Sequence, residues 1–138
     1  MKYKIRKMKA ADFKEVKTLL SHSSKGKNLT KKSFKNILSS KYHANFVAIQ
    51  SKKIVGVIFG LSDGGDVGYL YKLEVHPEFR RKKIGTNLVK QALKTWKTYN
   101  LRLIFGRITK SNLPYKRVLE KNNFTMLSEE YRLIDFDI

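Results

Sequence analysis

Cysteine is absent from the 138 residues, so neither a disulfide framework nor a thiolate metal site can form. The same absence rules out an acyl-cysteine intermediate in any group-transfer chemistry. The histidines, His22, His43 and His76, have no metal-ligand spacing among themselves or with carboxylates, so no metal is expected. Proline occurs only at Pro77 and Pro114, and linkers, low-complexity tracts and internal repeats are missing. The longest apolar run, Ile54 to Leu61, is too short to span a bilayer, so no membrane association is expected. The N-terminal MKYKIRKMK is basic but has no apolar stretch behind it, so no secretory leader is expected. With the lack of cysteine, that reads as a soluble cytoplasmic protein. No G-x-S-x-G elbow, Walker loop or Rossmann fingerprint occurs.

Acidic residues are also scarce, 11 against 30 Lys and Arg, for a net charge of +19. The imbalance lies mainly in residues 1–62, which hold 15 of the cations and only Asp12 and Glu15 as acids. Such a field attracts polyanions, whether a nucleic acid or a phosphorylated cofactor. The plainer reading is a general lysine bias, because 23 of the cations are lysines and they are spread over every segment. A nucleic-acid-binding module is the rival from another class. It lacks a recognition helix or an RNA-binding aromatic signature, so no specific nucleic-acid partner is expected. Apolar residues make up 41%, enough for one core, and the length suits a single domain over residues 1–138.

Periodicity then places the elements. Tyr3 to Met8 alternates as a strand, and Ala11 to Leu20 puts Phe13, Val16, Leu19 and Leu20 on one helix face. Residues 21–28 are polar, and a second helix runs from the N-cap Thr30 to Ser40. Asn45 to Gln50, Lys53 to Leu61 and Tyr69 to Val75 are β-branched or aromatic runs separated by short turns, which implies an antiparallel meander. A helix from Ile84 to Thr98, a strand from Leu101 to Ile108 and a helix opened by Pro114 follow. Phe124 to Leu127 and Tyr131 to Ile138 close the sheet. The expectation is an α+β fold, an α/β/α sandwich, whose mixed, mostly antiparallel sheet has about seven strands and carries about four helices.

The chain is organised around YLYKLEVHPEFRRKKIGTNLVKQA, residues 69 to 92. It is a strand, a proline turn, a cationic loop from Arg80 to Lys83, and a helix whose inner face is Ile84, Leu88, Val89, Ala92, Leu93 and Trp96. The first amides of a helix have no internal partner and its dipole is positive there, so such a turn is a ready phosphate site. The plainer reading is a solvated basic helix start. Residues 75 to 86, VHPEFRRKKIGT, resemble the acyl-CoA-binding signature of the GNAT N-acetyltransferase superfamily: Arg or Gln, two variable residues, Gly, a variable residue, then Gly or Ala. Arg80 and Gly85 take the outer positions, and Lys83 replaces the first glycine. SNLPYKRVLEKNNF, residues 111 to 124, is similar to the superfamily's second signature, with Asn123 in place of a glycine. The predicted order β-α-α-β-β-β-α-β-α-β-β is also the superfamily's.

The resemblance implies acetyl-CoA as co-substrate and transfer of its acetyl group to a primary amine, on a small molecule or a peptide. It implies that Leu73 and Val75 offer backbone groups to the pantetheine arm, with the Val75 amide aimed at the acyl oxygen. Arg80 and the amides of Arg81, Lys82, Lys83, Ile84, Gly85 and Thr86 would hold the pyrophosphate, and Asn112 would bond the pantetheine. The family's thiolate-protonating tyrosine falls at Leu119, which cannot donate a proton. Its bases fall at Tyr69 and Tyr71, phenols too weakly basic at neutral pH to act directly, which would instead order a water. The plainer reading of both is core or pocket wall. Leu119 and the missing carboxylate keep open a CoA-binding member without catalysis. Glu74 is expected on the opposite face of its strand unless a bulge reverses it. The assembly is expected to be a monomer or a homodimer.

Overall fold

The computed structural model describes residues 2–23, 26–106 and 113–125. In chain order the elements are β1 (Lys4–Lys7), α1 (Phe13–Leu20), α2 (Lys31–Ile37), β2 (Phe46–Gln50), β3 (Lys53–Ser62), β4 (Val67–Val75), α3 (Ile84–Thr98), β5 (Leu103–Gly106) and α4 (Leu113–Lys121). The strands form one mixed sheet in the order β1-β2-β3-β4-β5, antiparallel throughout except for the parallel pair β4–β5. α3 supplies the crossover that a parallel pair requires. The fold is the expected α+β sandwich with four helices. Among the described residues the sheet has five strands. Of the two further strands expected, 131–138 lies wholly outside the described residues, and Phe124 and Thr125 of 124–127 belong to no strand.

Two cores sandwich the sheet. On one face Phe46, Val55, Ile58, Leu70 and Leu73 pack on Ile84, Leu88, Val89, Ala92 and Trp96 of α3 and on Tyr115 and Leu119 of α4. On the other, Val47, Val57 and Phe59 meet Val16, Leu19 and Leu20 of α1 and Phe34 of α2. The fully buried Trp96 ring lies against Gly60 and Gly68. A Cβ at either would stand 2.8 or 2.7 Å from the indole, so only glycine admits it there. Its Nε1–H donates to the Tyr42 carbonyl at 2.8 Å, which satisfies the one polar atom the ring buries.

The local signals explain the helix ends. Thr30 caps α2 by accepting from the Ser33 amide at 3.1 Å, and α2 stops at Ile37, short of the expected Ser40. After α4, Asn123 takes φ 68° and the Phe124 amide closes on the Leu119 carbonyl at 3.0 Å, the left-handed cap that asparagine tolerates. α1 is preceded by a single 3-10 turn, Ala10–Asp12, where helix was expected from Ala11. The cause is Asp12, whose carboxylate accepts from the Lys9 amide at 2.7 Å and from both Arg6 guanidinium nitrogens at 2.8 and 2.9 Å.

That last cluster sets an acid limit on stability. Burial pushes the Asp12 carboxyl up, but the Arg6 guanidinium and the Lys9 amide outweigh it and hold the group below its ordinary value. A carboxyl depressed in the folded state contributes stability that is full above its unfolded value, about 3.9, and is lost as pH falls through the folded value. The Arg6 side chain is 34% exposed, so water screens part of the pair. Arg6→Ala is expected to remove about 1 kcal/mol at pH 7, and progressively less as pH is lowered toward 2 through the depressed folded value of Asp12. Urea denaturation of the two proteins at both pH values measures the difference.

Candidate active site

β4 is where the two halves of the site meet. Its parallel ladder with β5 joins Val67–Leu70 to Leu103–Gly106, and the strand continues to Val75. On the β3 side the register slips between Phe59 and Gly60, whose partners are Lys72 and Leu70, so Tyr71 is the extra residue of a bulge. The slip reverses alternation. Leu70 and Leu73, three apart, both enter the α3 core, while Tyr71 packs with the α1 core. Glu74 pairs with Val57, which also belongs to the α1 core. Glu74 therefore shares a face with Tyr71, the outcome that plain alternation excludes and a bulge permits.

Glu74 is a buried carboxylate, 4% exposed. It accepts from the Ser23 hydroxyl, just beyond α1, and pairs with the Arg80 guanidinium at 3.0 Å. Arg80 Nε also donates to the Val75 carbonyl at 3.0 Å. Arg80 is thus tied to the end of β4, with its side chain still 53% exposed to solvent. Sequence reasoning missed this pairing. The signal was available as an acid six residues before the signature arginine, on a strand that otherwise carries only one charge, Lys72.

The turn after β4 is a short 3-10 segment, Pro77–Phe79, capped by His76, whose Nδ1 accepts from the Glu78 amide at 3.2 Å. The His76 ring meets those of His22 and Phe79 edge-on at 5.0 and 5.5 Å, so its position is fixed by packing. Arg81 and Lys83 then take left-handed backbone, φ 65° and 63°. Lys83 does so where the resembled signature has glycine, so the glycine-like turn is kept and only its residue differs. Arg81, Lys82 and Lys83 are exposed, and Lys82 Nζ lies 5.3 Å from the Phe79 ring centre. The first intrahelical bond of α3 runs from the Asn87 amide to the Lys83 carbonyl at 2.9 Å. The amides of Ile84, Gly85 and Thr86 precede it, on residues whose side-chain positions are buried.

Beside this helix start, a cleft of about 250 Å³ is lined by Lys83, Thr86, Asn87, Lys90 and Lys121. Three lysines gather around one cleft at a helix N-terminus, a charge arrangement that suits a polyphosphate. A second cavity, about 350 Å³, lies on the α1 face and includes Glu15, His22, Lys53 and His76 in its wall.

The expected proton-moving residues are placed as follows. Tyr69 is half-buried on β4 between Leu61 and Phe105, its register partners. Tyr71 packs against Phe59 at 5.9 Å between ring centres, and burial pushes its hydroxyl up to about 12, so it stays protonated at neutral pH. Leu119 is buried on the α4 face that meets the sheet. Tyr115, one helical turn earlier on that same face and 8% exposed, was not picked out from the sequence. Asn112 lies outside the described residues. Among the described residues no group of three or more potential metal ligands gathers, and no helix is long and apolar enough to cross a membrane.

The family model described as the acetyltransferase (GNAT) family matches residues 10–124. No curated protein matches by sequence. Among solved structures, a transcriptional regulator from Bacillus halodurans C-125 is similar at 23% identity with a TM-score of 0.82, covering 98% of this chain and 100% of its own. Ard1 from Thermoplasma volcanium is similar at 18% identity with a TM-score of 0.80, over 93% and 86% of the two chains. The aminoglycoside N-acetyltransferase AAC(6')-Iy, solved in complex with CoA, is similar at 17% identity with a TM-score of 0.76, over 99% and 95%. At these identities the likeness speaks for the fold.

Proposed function

Because the chain belongs to the acetyltransferase (GNAT) family, we propose that it is an acetyl-CoA-dependent N-acetyltransferase, a single domain over residues 1–138. It transfers the acetyl group directly to a primary amine of a small-molecule or peptide acceptor. The observation that carries this reading is the junction of β4 with α3: a strand leading through a short turn into a cationic loop at a helix start. The pyrophosphate lies over the amides of Arg81 to Thr86 and against Arg80, and the outer phosphate takes the cleft of Lys83, Lys90 and Lys121. The pantetheine arm runs back along Val75 and Leu73, with Asn112 bonding it from the other side. The Val75 amide polarises the acyl carbonyl, which a pre-oriented backbone donor does without reorganisation.

With no cysteine in the chain there is no acyl-cysteine intermediate, and in this reading the amine attacks the thioester itself. Tyr71 cannot serve as the base while its hydroxyl stays protonated, so the amine proton leaves through water ordered by Tyr69 and Tyr71. Aminoglycosides, the acceptors named for several structural neighbours, belong to the proposed acceptor class, as do other primary amines. Catalysis in a ternary complex without a covalent enzyme intermediate needs only a monomer, and a homodimer is equally compatible.

The test is calorimetry with acetyl-CoA, CoA and pantetheine. Both CoA compounds are expected to bind at least about a hundredfold more tightly than pantetheine, because several charge-assisted hydrogen bonds to phosphate are lost with it. Equal affinities would overturn the reading.

A further inference from the structure

A ternary complex needs a second opening. With the cofactor arm on the side of β4 that α3 and α4 cover, the amine has to come from elsewhere. The cavity of about 350 Å³ on the α1 face lies at the same strand end. Its wall takes Lys53 and Ile54 from the start of β3, and His76, which directly follows Val75. The His76 amide donates to the Val55 carbonyl at 2.8 Å, which pins this corner to β3. Donors dominate the wall. Lys14 and Lys53 present ammonium groups, which only donate. His76 Nδ1 is occupied by the Glu78 amide at 3.2 Å, so the neutral ring carries its proton on Nε2 and donates there as well. His22 packs edge-on against that ring at 5.0 Å. Glu15 is the one carboxylate of the wall, and its Oε2 already accepts from the Ile54 amide at 3.1 Å.

Resting on the acetyl-CoA reading above, we propose that this cavity receives the acceptor, and that the acceptor is a small amine which also carries a phosphate or a carboxylate. Its anion lies between Lys14 and Lys53, and its ammonium faces the single carboxylate, Glu15. A wall with more donors than acceptors suits one negative and one positive group in the same molecule. A polycation would instead bring several ammonium groups to two lysines. The surroundings carry the same sign, because residues 1–62 hold 15 Lys and Arg against Asp12 and Glu15. Asp12 is unavailable, since Arg6 and the Lys9 amide already occupy its carboxylate. Size points the same way. A volume of about 350 Å³ is at the small end for ligand cavities, room for a small molecule or the first residue of a peptide rather than for the several rings of an aminoglycoside. The acceptor class is thereby narrowed to its anionic members.

NMR titration of the protein saturated with CoA tests this with matched pairs of amines. O-phosphoethanolamine is set against ethanolamine, β-alanine against propylamine, and a peptide beginning Gly-Asp-Glu against one beginning Gly-Asn-Gln. In at least one pair the anionic member is expected to bind about tenfold or more tightly than its partner, and that pair identifies the source of the anion. Tobramycin, a polycation, should bind more weakly than that anionic amine. Lys14→Gln and Lys53→Gln change exposed side chains outside the cofactor site. Each should keep its melting temperature and its CoA affinity while cutting the preference about threefold or more. The preferred amine should also release CoA thiol from acetyl-CoA, and binding without release would overturn the acceptor role of the cavity. Pairs that bind alike, tighter binding of tobramycin, or a preference unchanged in both lysine variants would overturn the proposal and leave the cofactor reading standing. A wild type that binds no CoA would overturn the cofactor reading, and this proposal with it.

Discussion

Gly85→Val is expected to weaken acetyl-CoA binding by about ten- to a hundredfold, whereas Gly85→Ala leaves it within a few-fold. The difference lies in what surrounds the missing side chain. A Cβ at Gly85 would stand 3.5 Å from Val118 Cγ2, 3.6 Å from Leu73 Cδ2 and 3.7 Å from Val75 Cγ2, all ordinary contacts. One methyl therefore fits. The two further methyls of valine have to enter the seam between β4 and α4, along which the pantetheine arm is proposed to run, or push the two elements apart. From the sequence, a side chain at this position is expected to stand between the helix amides and the pyrophosphate. The geometry sends it instead into that seam.

The comparison that sharpens this is Lys83→Gly. Lys83 is exposed and left-handed, so glycine there relieves about 1 kcal/mol of backbone strain while removing one screened charge. Its effect on affinity should be less than about fivefold in either direction. Dissociation constants at physiological salt, with folding confirmed by circular dichroism, decide between them. If Lys83→Gly proves the more damaging, side chains rather than the helix start hold the pyrophosphate.

The sequence made most of this architecture legible because the signals were local. Thr30 before a helix, Asn123 after one, Pro114 within a first turn and the turn-separated β runs each depend on a few neighbouring residues, and each recurs in the structure. The strand–turn–helix from Tyr69 onward was readable for the same reason. Harder to read was everything that depends on register. One extra residue at Tyr71 exchanges the faces of all that follows it on β4, so no count along the strand could place Glu74 beside Ser23, 51 residues away in sequence. Tyr115 escaped for a related reason: its buried neighbours are Leu70 and Gly106 on two other elements, whereas the sequence directs attention to Val118, Leu119 and Asn122. Of those, Leu119 is buried and Val118 packs at the edge of the core. Asn122 instead uses its side-chain amide to donate to the Val118 carbonyl at 2.9 Å.

Arg80→Ala is expected to damage folding and cofactor binding together, and the two losses can be separated. Glu74 is 4% exposed, so removing its guanidinium partner leaves an anion in a site that water barely reaches. A fully enclosed pair broken in this way loses 3–5 kcal/mol, but the Arg80 side chain is 53% exposed. Solvent can enter the space it vacates, so the loss should be about 1–3 kcal/mol. The bond from Arg80 Nε to the Val75 carbonyl disappears as well, which loosens the end of β4 where the acyl oxygen is proposed to sit. Adding Glu74→Gln removes that buried charge while keeping an acceptor for the Ser23 hydroxyl. Arg80→Ala/Glu74→Gln should therefore recover stability to within about 1 kcal/mol of wild type. Its affinity for acetyl-CoA should stay about tenfold or more below wild type, because the amide replaces nothing that Arg80 gives the phosphate. Urea denaturation and calorimetry on the four proteins of the cycle supply both numbers. If affinity returns along with stability in the double variant, Arg80 serves the cofactor only by holding Glu74. If Arg80→Ala alone changes neither quantity, the ion pair at the end of β4 is incidental and the pyrophosphate rests on the amides of α3 alone.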